Sequence, residues 1–136
     1  MCVLVFVIAY RTIYRQELVK IGGIGTLIVV SGSMEPTIEP KEMIIIKEKA
    51  EYNKDDVITY KDNSGKFITH RIVEVNGEHF RTKGDSNLEV DDLIEIQNIE
   101  GKVIFHSYIL GIFFLYLLKP LLIIIIVLYL LYVLLK

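Results

Sequence analysis

The C-terminal end of the chain constrains its fold more than any other feature. Residues 108–135 are apolar except for Lys119 and Pro120. A transmembrane helix needs about 20 apolar residues, so residues 121–135 must be joined by part of the preceding segment. We expect residues 108–118 to lie in the membrane interface and one transmembrane span to follow, with Lys119 near the headgroups. A single kinked span from about residue 109 is the alternative, because Pro120 kinks a helix.

The middle of the chain, residues 41–106, is charged and alternates between polar and apolar residues. The formal net charge of the whole chain is −2, which offers no basic surface for a nucleic acid. A single cysteine, Cys2, excludes an intrachain disulfide and a Cys-x-x-Cys metal site. The three histidines lack the close spacing of a zinc site. We therefore expect no metal, no cofactor and no nucleic-acid partner.

Short runs of β-branched residues separated by turn residues predict a small, mainly β, barrel-like domain over residues 25–107. The apolar and basic residues 1–24 precede this domain, and the membrane-associated residues 108–136 follow it. Asn76-Gly77 is a strong signal for a type I′ hairpin turn. The predicted strands cover residues 42–47, 56–61, 66–75, 79–83, 93–99 and 102–106.

The sequence Ser-Gly-Ser-Met-Glu-Pro-Thr, residues 31–37, has the composition of a rigid turn that exposes a serine. Gly32 permits unusual backbone angles, and Pro36 prevents the turn from closing into a helix. Ser33 is therefore a candidate nucleophile. The alternative is an ordinary Ser/Gly/Pro turn before a strand.

A second candidate lies on the longest predicted strand. Alternation along that strand places Ile68, His70 and Ile72 on one apolar face. A histidine there is commonly a core residue with a satisfied hydrogen bond. Near a serine it would instead serve as a neutral general base, because desolvation disfavours the charged imidazolium.

Together these segments resemble the conserved boxes of type I signal peptidases. Residues 31–37 resemble the serine box, and the other boxes follow in order as residues 56–60 (DVITY), 69–73 (THRIV), 83–92 (KGDSNLEVDD) and 101–103 (GKV). The base position is His70, as in the archaeal and endoplasmic-reticulum type that also occurs in some Gram-positive bacteria. The resemblance covers roughly residues 25–136.

The resemblance implies that two aspartates of the acidic box matter, and they correspond to Asp85 and Asp91. A serine–histidine pair needs a third group that orients the imidazole, and we expect Asp91 to be that group for His70. We expect Asp85 to organise its own turn by accepting hydrogen bonds from backbone N–H groups. The loop departs slightly from the pattern of the family, which keeps Asp92 as an alternative to Asp91.

The function implied by the resemblance is that of a membrane-bound serine endopeptidase, signal peptidase I, which removes signal peptides from exported preproteins. Ser33 would attack the scissile carbonyl and His70 would take its proton, with Lys83 as the less favoured base. The backbone N–H of Ser33 would be the main oxyanion donor, and the family implies the Ser31 hydroxyl as the second. Self-cleaving relatives with the same fold use a lysine base and a DNA-binding region, and neither is evident here.

The resemblance also implies an integral membrane protein whose catalytic domain lies on the extracytoplasmic side. Its partners would be signal-peptide-bearing preproteins, the lipid bilayer and the secretion translocon. Residues 3–10 are too short to span a bilayer, so we expect a truncated membrane anchor there. Arg11 and Arg15 favour the cytoplasmic side, whereas the topology of the family places them outside. A catalytically inactive, membrane-anchored β module that binds exported proteins is the alternative function.

Overall fold

A computed structural model describes residue 18 and residues 20–135. The β-rich part contains eight strands, and the C-terminal part is helical. The strands are β1 Lys20–Ile21, β2 Ile24–Ile28, β3 Met43–Lys47, β4 Val57–Lys61, β5 Phe67–Asn76, β6 His79–Lys83, β7 Ile94–Glu95 and β8 Ile99–Ser107. The helices are a 3₁₀ turn Ile96–Asn98, α1 Tyr108–Phe113, a π turn Phe114–Leu118 and α2 Lys119–Leu134.

The eight strands form one antiparallel sheet in the order β1-β2-β3-β8-β4-β5-β6-β7. The long strand β8 joins the two halves, because it pairs with β3 on one side and with β4 on the other. The prediction of a mainly β fold with a C-terminal apolar helix is therefore confirmed.

Two apolar clusters make up the core. One contains the fully buried Ile58 and Ile72 of β4 and β5, together with Tyr52, Tyr60, Phe80 and Ile99. The other contains Met34, Ile38, Ile44 and Ile46. The second cluster includes two residues from the segment after Ser33, so this segment is held by core packing.

The strand boundaries differ from the prediction at both ends of the domain. β1 and β2 were not predicted, because residues 21–30 show an uncharged run without alternation. Residues 94–95 form only a short strand and continue into the 3₁₀ turn, whereas β8 runs without interruption through Gly101. A Cβ at Gly101 would lie 2.9 Å from the backbone carbon of Lys47, so the glycine that looked like a turn signal instead allows β3 to approach β8.

The β5–β6 hairpin also differs by one residue from the prediction. Asn76 pairs with His79, so the turn consists of Gly77 and Glu78. Gly77 has φ 63, whereas Glu78 is not among the residues with positive φ. A type I′ turn needs positive φ at both central residues, and the expectation of such a turn at Asn76-Gly77 is therefore wrong.

The C-terminal helix is continuous from Tyr108 to Leu134, and no part of its most apolar stretch is buried in the structure. By length and composition it can cross a bilayer. Residues 108–118 are therefore helical and continuous with residues 119–134. This agrees with the alternative of a single helix that begins near residue 109. The π turn lies just before Pro120, which has no N–H to donate. The N–H of Lys119 bonds to the carbonyl oxygen of Phe114, five residues earlier, and not to the residue four earlier as in an α-helix.

The helix touches the β domain where α1 packs against the loop before β3. A Cβ added at Gly111 would overlap the Lys41 carbonyl oxygen, 1.8 Å away, and would lie 2.8 Å from the backbone nitrogen of Met43. Only glycine allows this approach. The expectations for residues 3–10, Arg11 and Arg15 lie outside the described residues.

Candidate active site

The loop that carries Ser33 lies between β2 and β3 and is fixed by its own hydrogen bonds and by the core. The N–H of Glu35 donates to the Gly32 carbonyl at 3.1 Å, and the N–H of Ile38 donates to the Met34 carbonyl at 3.0 Å. Met34 and Ile38 are each only 1% exposed. The buried Met34 and Ile38 side chains thus anchor the loop in the core, while the Ser33 side chain remains partly accessible.

His70 lies in the middle of β5, opposite Ile58 of β4. The alternation of this strand buries His70, which is 6% exposed, and Ile72, which is 0% exposed. Its Nε2 is 3.0 Å from Ser33 Oγ. The alternation of β5 therefore aims the imidazole inward, and the folded loop brings the serine to it.

Asp91 lies on the other side of the imidazole, with Oδ2 2.5 Å from His70 Nδ1. Of the two neighbouring aspartates, Asp91 makes this contact, whereas Asp92 is exposed. A carboxylate only accepts hydrogen bonds, so the neutral imidazole carries its proton on Nδ1 and presents the lone pair of Nε2 to Ser33.

Asp85 makes a different contact from the one expected. Instead of binding the N–H groups of its own turn, it accepts two hydrogen bonds from Arg71, from Nε at 2.9 Å and from Nη2 at 2.7 Å. The Thr37 hydroxyl also donates to it, at 2.5 Å. The hydrogen bonds from Arg71 keep the pKa of Asp85 below its usual value. Asp85 therefore ties the serine loop to β5 and to the acidic loop.

The acidic loop also contacts the serine loop directly. Ser86 donates from its N–H to the Ser33 carbonyl at 3.0 Å and from its hydroxyl to the Gly32 carbonyl at 2.8 Å. A Cβ at Gly84 would lie 2.6 Å from the Ser33 carbonyl oxygen. Sequence reasoning missed this close backbone approach at Gly84, because it depends on two segments far apart in the chain.

A cleft of about 250 Å³ opens beside Ser33. Its two long walls are residues 27–31 and residues 66–70. β1 pairs with β2 only at Ile24 and Gly25, and β6 pairs with β5 only from Arg71 onward, so in the described structure each wall has one edge without a strand partner. Ser31 lies in the cleft wall, with its hydroxyl 3.3 Å from Ser33 Oγ.

Lys83 and the other two histidines are not bonded to Ser33 in the part of the chain that the structure describes. Lys83 pairs with Arg71 in the β5–β6 ladder, and no hydrogen bond or ion pair found among the described residues joins it to Ser33. His79 is exposed, and His106 binds Glu42 at 2.6 Å near the start of the C-terminal helix. Within residue 18 and residues 20–135, no group of three or more His, Cys, Asp or Glu residues could hold a metal ion.

The serine, histidine and aspartate have the geometry of the triads of serine hydrolases, in which a base contacts the nucleophile and a carboxylate orients the base. No family model matches the chain. The chain is similar to signal peptidase I W of Bacillus subtilis (strain 168), with 43% identity over 70 residues. The match covers 46% of this chain and 37% of that protein. This partial similarity supports a relationship to signal peptidase I.

Proposed function

We propose that this protein is a membrane-bound serine endopeptidase of the signal peptidase I kind, with a serine nucleophile and a histidine general base. The observation that carries the proposal is the chain of contacts from Ser33 Oγ to His70 Nε2 and from His70 Nδ1 to Asp91, at the edge of an open cleft. A purely structural core histidine would have both ring nitrogens bonded inside the core. His70 instead has a carboxylate on one nitrogen and a hydroxyl that borders the cleft on the other.

In the proposed reaction Ser33 Oγ attacks the carbonyl carbon of the scissile bond while Nε2 of His70 takes the hydroxyl proton. The resulting imidazolium is stabilised by the Asp91 carboxylate. His70 then gives the proton to the leaving amine, and an acyl-enzyme remains on Ser33. Water, activated by His70, releases the acyl group and restores the serine.

The negative oxygen of the tetrahedral intermediate needs hydrogen-bond donors. We propose the backbone N–H of Ser33 and the hydroxyl of Ser31, whose oxygen lies 3.3 Å from the nucleophile. Loss of one such donor typically costs about 10²–10³ in kcat. The Ser31 hydroxyl is the donor that a side-chain substitution can remove.

The substrate is proposed to be the signal peptide of an exported preprotein. An extended peptide between residues 27–31 and 66–70 would bind as an added strand, because such peptides use backbone hydrogen bonds and place alternate side chains in pockets. The buried Met34 and Ile44 close the floor of the cleft, which favours small residues at the first and third positions before the cut. A panel of residues at those two positions tests this, and equal cleavage with Phe and with Ala would refute it.

The apolar helix Tyr108–Leu134 supports membrane association. We propose that it anchors the protein in the cell membrane with the catalytic domain on the extracytoplasmic side, where exported preproteins emerge. The lipid bilayer and the secretion translocon are the further partners proposed. Protease protection of a tag fused after Lys136, measured in sealed vesicles, would report the orientation.

The deciding experiment compares the full chain in proteoliposomes with its Ser33→Ala variant on a defined preprotein. Ser64→Ala is the matched control, because Ser64 lies in the β4–β5 turn and its hydroxyl binds Asp62 and not His70. We expect loss of cleavage and of acylation by a serine-directed probe in Ser33→Ala alone. Equal cleavage by Ser33→Ala and the unsubstituted protein would exclude a serine peptidase. An unsubstituted chain that binds the preprotein but neither cleaves it nor reacts with the probe would instead support the inactive β module.

A further inference from the structure

One oxygen of Asp91 accepts hydrogen bonds from three different strands. In addition to the contact with His70 of β5, Oδ2 accepts from the Thr82 hydroxyl at 2.7 Å and from the Tyr60 hydroxyl at 3.3 Å. Thr82 belongs to β6 and Tyr60 to β4. The position of this oxygen is therefore determined by the central sheet as well as by the loop that contains Asp91.

Both hydroxyl donors are deeply buried. Thr82 is 0% exposed and Tyr60 is 3% exposed. The backbone repeats the connection, because the N–H of Asp91 donates to the Thr82 carbonyl at 2.8 Å. Buried polar groups are costly unless they are paired. The two hydroxyls also interact with each other, and together they hold the carboxylate oxygen that both contact.

Tyr60 is suited to act as a donor throughout the working pH range. Burial of the side chain, together with the negative charge of Asp91, raises its pKa to about 12. The phenol therefore keeps its proton and donates it to the carboxylate. Both hydroxyls are neutral, so they stabilise the charge of Asp91 without introducing a cation that would compete with the imidazolium of His70.

We propose that Thr82 and Tyr60 are positioning residues that hold Asp91 Oδ2 on Nδ1 of His70, and thereby keep the imidazole in the tautomer that presents a free lone pair to Ser33. The inference rests on the proposed function only for its catalytic consequence. The tautomer itself is a property of the folded chain. A misplaced carboxylate would permit the other tautomer, with the proton on Nε2, and that imidazole could not accept the serine proton.

The direct test is the ¹⁵N NMR signature of the His70 ring, which distinguishes a protonated from an unprotonated nitrogen. The full chain in detergent micelles is compared with Thr82→Val, which removes the hydroxyl and keeps the shape, and with Thr82→Ser, which restores a hydroxyl. Thr59→Val is the matched control. Thr59 is equally buried, but its hydroxyl pairs with that of Thr69, 2.8 Å away, and not with Asp91.

We expect only the Nδ1–H tautomer of neutral His70 in the unsubstituted protein, in Thr82→Ser and in Thr59→Val, and a mixture of tautomers in Thr82→Val. Tyr60→Phe should give a smaller admixture, because its hydrogen bond is the longer one. If Thr82→Val does not fold, Tyr60→Phe decides the question by the same measurement. A single Nδ1–H tautomer in both Thr82→Val and Tyr60→Phe would overturn the proposal.

The kinetic test separates positioning from mere stability. Thr82→Val should lower kcat about tenfold with KM unchanged, the size expected for loss of one hydrogen bond to a charged group, and Thr82→Ser should recover most of it. An equal loss of kcat in Thr59→Val would show a general effect of core hydroxyls and would overturn the positioning role. Equal cleavage by the unsubstituted protein and Ser33→Ala would instead refute the proposed function. The NMR measurement of the His70 tautomer would still test the positioning role, because it does not require cleavage.

Discussion

Replacing Asp85 by asparagine removes the charge that joins three segments around Ser33. Asp85 accepts two hydrogen bonds from Arg71 and one from Thr37. Asparagine has nearly the same shape but offers one oxygen and an NH₂ group, and the NH₂ group would face donors. The variant therefore leaves the guanidinium of Arg71 with a weakened partner and weakens one of the contacts between the serine loop and the acidic loop.

The magnitude follows from these contacts. A hydrogen bond to a charged group contributes about 1.5–3 kcal/mol. The Asp85 and Arg71 side chains are 16% and 29% exposed, so solvent screens part of the interaction, and one oxygen of asparagine still accepts. We therefore expect a loss of about 2 kcal/mol in the free energy of unfolding. For a domain of this size that lowers the melting temperature by roughly 8–16 °C.

The assay is thermal unfolding of the β domain by circular dichroism in detergent, together with kcat on a preprotein. Asp92→Asn is the matched control, because it makes the same chemical change at an exposed position of the same loop. We expect Asp85→Asn to lose both stability and activity, and Asp92→Asn to lose neither. A melting temperature of Asp85→Asn within about 2 °C of the unsubstituted protein would refute the assigned role, since it corresponds to less than about 0.5 kcal/mol.

The pH dependence provides a second check. The Arg71 hydrogen bonds lower the pKa of Asp85 in the folded state, so the contribution of this group to stability is fully present above the unfolded pKa of about 3.9. It is lost as pH falls through the lower, folded pKa. The stability difference between the unsubstituted protein and Asp85→Asn should therefore be constant near neutral pH and should narrow below about pH 4.

Three further predictions concern the base and two close backbone approaches. His70→Ala should remove nearly all turnover and Lys83→Ala should cost little, and the reverse pattern in a preprotein cleavage assay would move the assignment to lysine. Gly84→Ala places a methyl 2.6 Å from the carbonyl oxygen of the nucleophile, so it should lower kcat by at least tenfold; normal turnover would contradict the contact. Gly111→Ala should displace α1 from Lys41, where the added carbon would lie 1.8 Å from the carbonyl oxygen, and unchanged crosslinking between cysteines placed on the helix and on that loop would refute the packing.

Local patterns in the sequence were sufficient for the elements that depend on neighbouring residues. The alternation of residues 66–75 predicted a strand with an inward-facing His70, and the structure has β5 at Phe67–Asn76. The apolar run at the C-terminus predicted a helix long enough for a membrane. Strand β2 was missed because Gly25 and the uncharged residues around it carry no alternation. A strand or a helix could be predicted wherever the periodicity of apolar residues or the length of an apolar run is visible among neighbouring residues.

The arrangement of the site was decided by tertiary structure. Ser33 and His70 are 37 residues apart, and His70 and Asp91 are 21 apart, so their contacts depend on how the sheet packs the loops. The sequence favoured Asp91 but did not exclude Asp92, and in the structure it is Asp91 that reaches the imidazole, with its N–H bonded to the Thr82 carbonyl. The pairing of Asp85 with Arg71 in place of its own turn, and the two hydroxyls on Asp91, likewise arise because three strands and two loops are brought within hydrogen-bonding distance. These distances depend on how the sheet and the two apolar clusters pack, so local residue type and spacing do not determine them.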